Sequence, residues 1–345
     1  MAYLQQVLVD WKEACLEGYL GLRKVKVGFI GAGSHANLVH YPSLASIEEA
    51  EVKAICDLNV ERLRRTAEKY GVEKQYTDYR EMLEKEELDA VYVVMPPHHL
   101  YDIVADCLRE GLNTFIEKPP GVTTNQTKSL AWLAEKNGCR TMVGFNRRFI
   151  PLMQNVKATV EERGPINQCV STFYKNVQSE EPPYYRGALD ILTCDAVHAV
   201  DALRWMAGDE VDEVFSSVRR LYVPYHNSFN ALIKFKHGAV GILMTNWTAG
   251  SRVHTFEMHS KGISAFINPD SEALIYSDNK PEPRRVSTFE AAKSRERHVY
   301  YGFYHENRHF IDCVLEDKEP ETSFRDAVKT MELVDRIYRE ANDVR

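Results

Sequence analysis

The sequence predicts an α/β protein. An N-terminal doubly wound parallel sheet of Rossmann type is expected first, followed by a C-terminal α+β domain with a large, mostly antiparallel open sheet. Three observations carry this expectation. From Lys24 onward, short apolar runs alternate with amphipathic helical runs, the order that builds a parallel sheet covered on both faces. A glycine turn, Gly31-Ala32-Gly33, stands between the first strand and the first helix. After about Pro151, strand-like segments follow one another with short connections, as antiparallel pairing requires.

Taken in order, Leu4, Val7, Leu8, Trp11 and Cys15 recur at helical spacing and predict a helix over residues 1–22, ahead of the main fold. Val25–Ile30 is a β-rich run, and Val52–Cys56 is a second, ending at Asp57. Asn59–Tyr70 reads as a helix closed by Gly71, and Ala90–Val94 as a strand apolar on both faces. A helix over His99–Arg109 stops at Gly111. Asn113–Ile116, a helix over Lys128–Lys136 and a strand over Arg140–Gly144 complete the first half. Beyond it come a helix over Pro151–Arg163, a strand over Ile166–Tyr174 and a helix around Thr193–Met206. Strands at Val211–Leu221, Ser228–Phe235, Val240–Asn246, Val253–His259 and Ile263–Ile267 precede two closing helices, Tyr304–Leu315 and Phe324–Arg339. The expected division is a helical extension over 1–23, a dinucleotide-binding domain over 24–147 and a substrate-binding and oligomerisation domain over 148–345.

At 345 residues, with 44% hydrophobic and 27% charged side chains, the chain has room for two globular cores. The net charge of −7 and scattered Lys and Arg argue against a nucleic-acid surface. No uncharged run is long enough to span a bilayer, and the charged N-terminus is not that of a signal peptide. Seven cysteines without C-x-x-C spacing indicate neither a disulfide framework nor structural zinc, and so a reducing cytoplasm.

Gly31-x-Gly33-x-x-Ala36 lies in the strand–turn–helix setting that a dinucleotide fingerprint requires. Gly31 permits the tight turn, Gly33 the approach of a pyrophosphate, and Ala36 close helix–strand packing, with His35 as an added contact. Asp57 follows at about the 20-residue distance where a carboxylate binds ribose hydroxyls. It favours NAD over NADP, although Arg62 and Arg64 nearby are residues able to receive a 2′-phosphate. Ile30, Ser34, Pro96, His99, Glu117 and Lys118 complete the expected cofactor set, with His98 beside them.

Four segments succeed one another in an order that resembles the Gfo/Idh/MocA family: Gly28–Gly33, Met95–His99, Glu117-Lys118-Pro119 and Val143–Phe149. The likeness covers nearly all the chain from residue 24, and the Glu-Lys-Pro element is its most specific part. It implies a sugar or polyol oxidoreductase using NAD(P), with Lys118 as the catalytic lysine and an open sheet that often mediates oligomers. Many relatives carry an aspartate four residues before a histidine on the substrate-domain helix. Here Cys194 holds that place, and Asp195 lies three before His198.

Oxidising a secondary alcohol requires removal of the hydroxyl proton and stabilisation of the alkoxide. His198 is assigned as general base and Lys118 as the cation that polarises the hydroxyl. Asp195 is expected to orient His198 or to bind a substrate hydroxyl, and Asp201 to cap or brace the helix. Asn146, Arg147, Tyr185 and Arg186, with Asp195 and His198, form the expected substrate set. Tyr184, Trp247 and His254 are further candidates. Cys194 and His198 share a helix face but lack a third metal ligand, so no metal is expected. The resulting expectation is an NAD-dependent dehydrogenase of a sugar, polyol or glycoside, acting as a homodimer or homotetramer. Two other readings share these motifs: a glycosidase working through tightly bound NAD, and a non-enzymatic nucleotide-binding regulator.

Overall fold

The computed structural model describes residues 23–177 and 179–341. The helix expected over residues 1–22 lies outside them. Six parallel strands make the first sheet: β1 (Val25–Ile30), β2 (Ala50–Cys56), β3 (Lys74–Tyr76), β4 (Ala90–Val93), β5 (Asn113–Ile116) and β6 (Thr141–Val143). Their order is β3-β2-β1-β4-β5-β6. Strand order reverses between β1 and β4, and a crevice opens there at the carboxyl ends, where α/β sheets bind ligands. Phe29, Tyr92 and Phe115 stack across β1, β4 and β5 at 5.4 and 4.6 Å between ring centres, so the sheet is held by burial on both faces.

The helices of this half begin and end on side chains suited to the task. Asn59 accepts from the Arg62 amide and Asp78 from the Arg80 amide, and Thr123 accepts from Gln126. Gly71 and Gly138 close two helices in the left-handed conformation. Strand β3 and the Tyr79–Lys85 helix were not among the elements expected. β3 has only three residues, all polar or aromatic and none buried, so it shows no apolar period to read.

Eight strands form the second sheet: β7 (Gln168–Asn176), β8 (Val211–Arg219), β9 (Ser228–Phe235), β10 (Val240–Asn246), β11 (Thr248–Ser260), β12 (Ile263–Asn268), β13 (Glu272–Ser277) and β14 (Arg284–Ser287). Their order is β14-β13-β12-β11-β7-β10-β9-β8, and only β7 and β10 run parallel. One face packs on the Val197–Ala207 helix, where all residues but Trp205 and Ala207 are buried. The other face leaves Phe215, Leu232, Phe266 and Tyr276 between 37% and 49% exposed.

The two closing helices reach back to elements of the first half. Phe310 and Ile311 of the Phe303–Glu316 helix share a core with Phe29, Tyr92 and Phe115. Thr322 extends the edge of β6 through two hydrogen bonds with Val143, each 2.8 Å. Below the crevice, Arg148 pairs with Asp201 (2.5 Å) and Asp326 (2.7 Å), Arg204 with Asp326 (2.5 Å), and Thr330 donates to Asp201 (2.8 Å). This buried network ties the loop after β6, the His198 helix and the last helix together. Asp201 is thus a brace between elements.

Candidate active site

The cofactor cradle begins where β1 meets the glycine turn. Gly31 has φ +118°, and a Cβ there would stand 2.1 Å from the Val94 carbonyl oxygen, so only glycine fits. Gly33 has open space around its Cα, which leaves the backbone free to approach a pyrophosphate. The chain continues from Ser34 as a helix whose first part, Ala36–His40, is π-helical. Ile30, Gly31, Gly33, Asp57, Pro96 and His99 line one cavity of about 730 Å³, with His98 at its edge. The residues present therefore fit a dinucleotide.

Asp57 sits at the end of β2, with Oδ2 accepting from the Ala32 amide (2.8 Å) and Oδ1 from the Asn59 amide (2.7 Å). Arg62 donates to Oδ1 at 3.1 Å, so the nearest arginine is already spent on the carboxylate. Arg64 pairs with Glu68 on the exposed side of its helix and does not line the cavity. The arrangement favours two ribose hydroxyls over a phosphate.

The remaining members of the expected cofactor set are placed differently. Ala36 is packed in the core and Ser34 is exposed. His35, about half exposed, has its Nε2 2.9 Å from Glu117 Oε1, and the buried His40 Nε2 approaches the same oxygen at 3.0 Å. Glu117 also accepts from the Lys118 amide at 3.1 Å. Burial alone would raise this carboxyl, but the two imidazoles outweigh it and hold Glu117 well below the usual range. The extra residue of the π turn carries His40 inward to this contact, which no period-3.6 reading anticipates. The three groups also lie close enough to hold a metal ion, yet hydrogen bonding accounts for the cluster.

Lys118 leaves the end of β5 and crosses to the second half of the chain, where Nζ donates to the Cys194 carbonyl at 3.1 Å. Cys194 belongs to the π-helical turn Leu192–Ala196, which runs directly into the helix bearing His198. His198 is 4% exposed, and its buried Nδ1 has no hydrogen-bond partner. Burial first, then the charges of Arg147, Lys118, His254 and Lys175, push its pKa well below 6.5. It is therefore neutral at pH 7, the form that accepts a proton.

Asp195 does not orient His198, contrary to one role expected for it. Its carboxylate accepts short hydrogen bonds from Lys175 Nζ and Tyr184 OH. The reason is local: in a π turn, spacing of three no longer places two residues one above the other. Burial opposes the charged form, but Lys118 and Lys175 prevail and keep Asp195 ionised. Trp247 Nε1 donates to the Tyr184 hydroxyl at 3.3 Å. Burial raises the Cys194 thiol to about 11, so it is a neutral thiol at pH 7.

Asn146, expected to touch substrate, is wholly buried; it donates to the Tyr301 carbonyl (2.8 Å) and accepts from Arg147 (2.6 Å). Its part is to hold Arg147, whose guanidinium lies 5.0 Å from the Tyr301 ring. His254 is buried and stacked on Phe173 at 4.2 Å, with neither ring nitrogen bonded. Tyr185 is 42% exposed and meets His98 edge-on at 5.2 Å, linking its loop to the cofactor cavity. Arg186 follows in the same exposed turn. Lys175, Tyr301 and Arg252 were not singled out from the sequence. They come from separate strands and a helix end, and no motif or spacing unites them.

Residues 25–145 match the Gfo/Idh/MocA oxidoreductase family, NAD-binding Rossmann fold, and residues 161–263 match the Gfo/Idh/MocA C-terminal domain. The chain belongs to this family. As a Gfo/Idh/MocA protein it is an NAD-dependent oxidoreductase. It is 27% identical over 317 residues to myo-inositol 2-dehydrogenase of Thermotoga maritima, covering 88% of this chain and 92% of that one. It is 24% identical over 323 residues to scyllo-inositol 2-dehydrogenase (NAD(+)) of Bacillus subtilis, covering 90% and 92%. Levoglucosan dehydrogenase in complex with NADH and levoglucosan shares the fold with a TM-score of 0.81 at 21% identity, covering 92% and 97%.

Proposed function

We propose that this protein oxidises a secondary hydroxyl of a sugar, polyol or glycoside, with His198 taking the hydroxyl proton and Lys118 holding the oxygen. The inositol dehydrogenases it resembles over most of its length support that substrate class. One observation carries the mechanism: the Lys118 ammonium reaches across the crevice to the Cys194 carbonyl, one turn before His198. NAD, when bound, supplies the hydride acceptor, and the glycine turn, Asp57 and Pro96 are the residues that hold it. Lys118 draws electron density from the hydroxyl, His198 receives its proton, and the ammonium then stabilises the carbonyl oxygen that forms. Asp195, fixed by Lys175 and Tyr184, offers an acceptor to a neighbouring hydroxyl. The apolar outer face of the second sheet serves as the contact surface of a homo-oligomer.

The test is Lys118→Ala assayed for NAD reduction across a panel of sugars and polyols. Turnover falls by about 10²–10⁴-fold, while NADH binding, followed by fluorescence titration, changes little. Undiminished turnover in the variant rejects the role given to Lys118.

A further inference from the structure

We infer that the molecule oxidised carries a carboxylate, as an aldonate or uronate does, and that Arg147 receives it. The inference rests on the dehydrogenase reading above and adds the charge of its substrate.

Arg147 is only 7% exposed. Its one hydrogen bond goes to the neutral amide of Asn146, its Nε has no partner, and among the described residues no carboxylate lies within ion-pair distance. The contrast with its neighbours is sharp. Arg148 and Arg204, also buried, are each paired with aspartate. A guanidinium held out of water without an anion is costly, and this one is held in place deliberately. Asn146 fixes one side of it, and the Tyr301 ring, itself anchored through its carbonyl to Asn146, lies beneath at 5.0 Å. A planar fork so presented matches a carboxylate.

Most other charges nearby are paired with one another: Arg252 with Asp270, and Lys175 with Asp195. Arg252 approaches the same Tyr301 ring at 5.9 Å and the Phe173 ring at 5.7 Å. Lys175 stands 5.1 Å over Phe173, and Lys118 ends on a carbonyl oxygen. Asp195 is thus held by Lys175 and Tyr184 and is not a partner of Arg147. Glu306 is buried without a hydrogen-bond partner; burial and then the charge of Glu117 raise its pKa well above 4.5, against the opposing pull of Arg147. The unbonded nitrogens of His254 and His198 complete a set of buried polar groups that a ligand would satisfy.

The charge has a chemical consequence. Arg147 is the largest charged contributor to the low pKa of His198, and a general base that weak is a poor one. A carboxylate arriving on Arg147 offsets that field and brings His198 back toward the range of a working base. Binding of the correct substrate thereby switches on its own proton acceptor.

The experiment compares matched pairs, glucose with gluconate and glucuronate and galactose with galacturonate, in two assays on the intact protein. One measures NAD-dependent oxidation and the other measures binding to the NADH-loaded protein by calorimetry. The acid of each pair is expected to show the higher kcat/KM and the tighter binding, by about 100-fold. Arg147→Met is expected to reduce the preference to within about threefold while NADH binding persists, and Arg147→Lys to retain part of it. Equal or better use of the neutral partners by the unaltered protein overturns the carboxylate but leaves the dehydrogenase standing. Acids that bind through Arg147 without being oxidised would sustain the anion site and remove the dehydrogenase reading. Absence of any acid binding to the NADH-loaded protein overturns the proposal whatever the variants do.

Discussion

The side chains that matter most are buried and titratable, and their energetics can be measured. His40, His198 and His254 all have pKa values pushed below 6.5, burial being the largest cause in each. Below pH 6.5 the unfolded chain binds protons that the folded protein refuses. Their contribution to stability is therefore fully present above that pH and is lost as pH falls through it. Thermal melts at pH 7 and pH 5 check this: His254→Phe is expected to shrink the difference in Tm between the two. An unchanged difference would mean that His254 is already protonated in the folded state. The acid limb of kcat/KM is likewise expected below the ordinary histidine range in the free enzyme. At this scale the sequence was legible where a motif fixes local geometry, as at the turn of Gly31 and the strand end of Asp57. It was not legible at Lys175, Arg252 or Tyr301, because convergence of separate strands leaves no trace in spacing. Asn146 shows the opposite failure: its place in a motif drew attention, but its amide is spent inside the protein.

At the scale of elements, two devices set the geometry. The first is the β1 turn: Gly31→Ala forces a Cβ onto the Val94 carbonyl at positive φ. It is expected to cost at least about 1–3 kcal/mol and to abolish NADH binding, read by fluorescence titration and urea midpoint. Retained binding would show that the turn relaxes. The second is the buried Arg148–Asp201–Asp326–Arg204 network. Arg148→Ala strands Asp201 without an ionic partner, leaves Asp326 to Arg204 alone, and is expected to cost about 3–5 kcal/mol, against a smaller loss for the surface Arg64→Ala, measured by denaturant unfolding. The long periodic helices and apolar strands were readable because burial on one face imposes a period. The two π turns, Ala36–His40 and Leu192–Ala196, were not. Each inserts a residue that leaves the amphipathic pattern nearly intact yet changes which side chain points inward, and both occur beside the candidate site. That is why His40 went unnoticed and why Asp195 was paired with the wrong partner.

For the whole molecule, the order of strands and glycine turns was enough to predict two sheets and their character. The return of the closing helices to the first sheet was not, since nothing in Phe303–Glu316 distinguishes one apolar face from another as its target. The second sheet's outer face carries Phe215 opposite Leu232 and Phe266 beside Tyr276. Exposed apolar side chains grouped on one sheet face mark a contact surface. Light scattering is expected to give at least twice the 39.6 kDa of one chain, and Leu232→Arg with Phe215→Glu to shift it toward one chain. A monomer at micromolar concentration in the unaltered protein would remove that function from the sheet. All of these arrangements serve one claim: that a lysine just beyond a strand of the first sheet and a histidine on the helix packed against the second act on the same oxygen. The most direct measurement is a crystal structure of the protein with NADH and its substrate's oxidised product. The account predicts Lys118 Nζ and a nitrogen of His198 each about 3 Å from the new carbonyl oxygen. A product bound with either group turned away from that oxygen would contradict it.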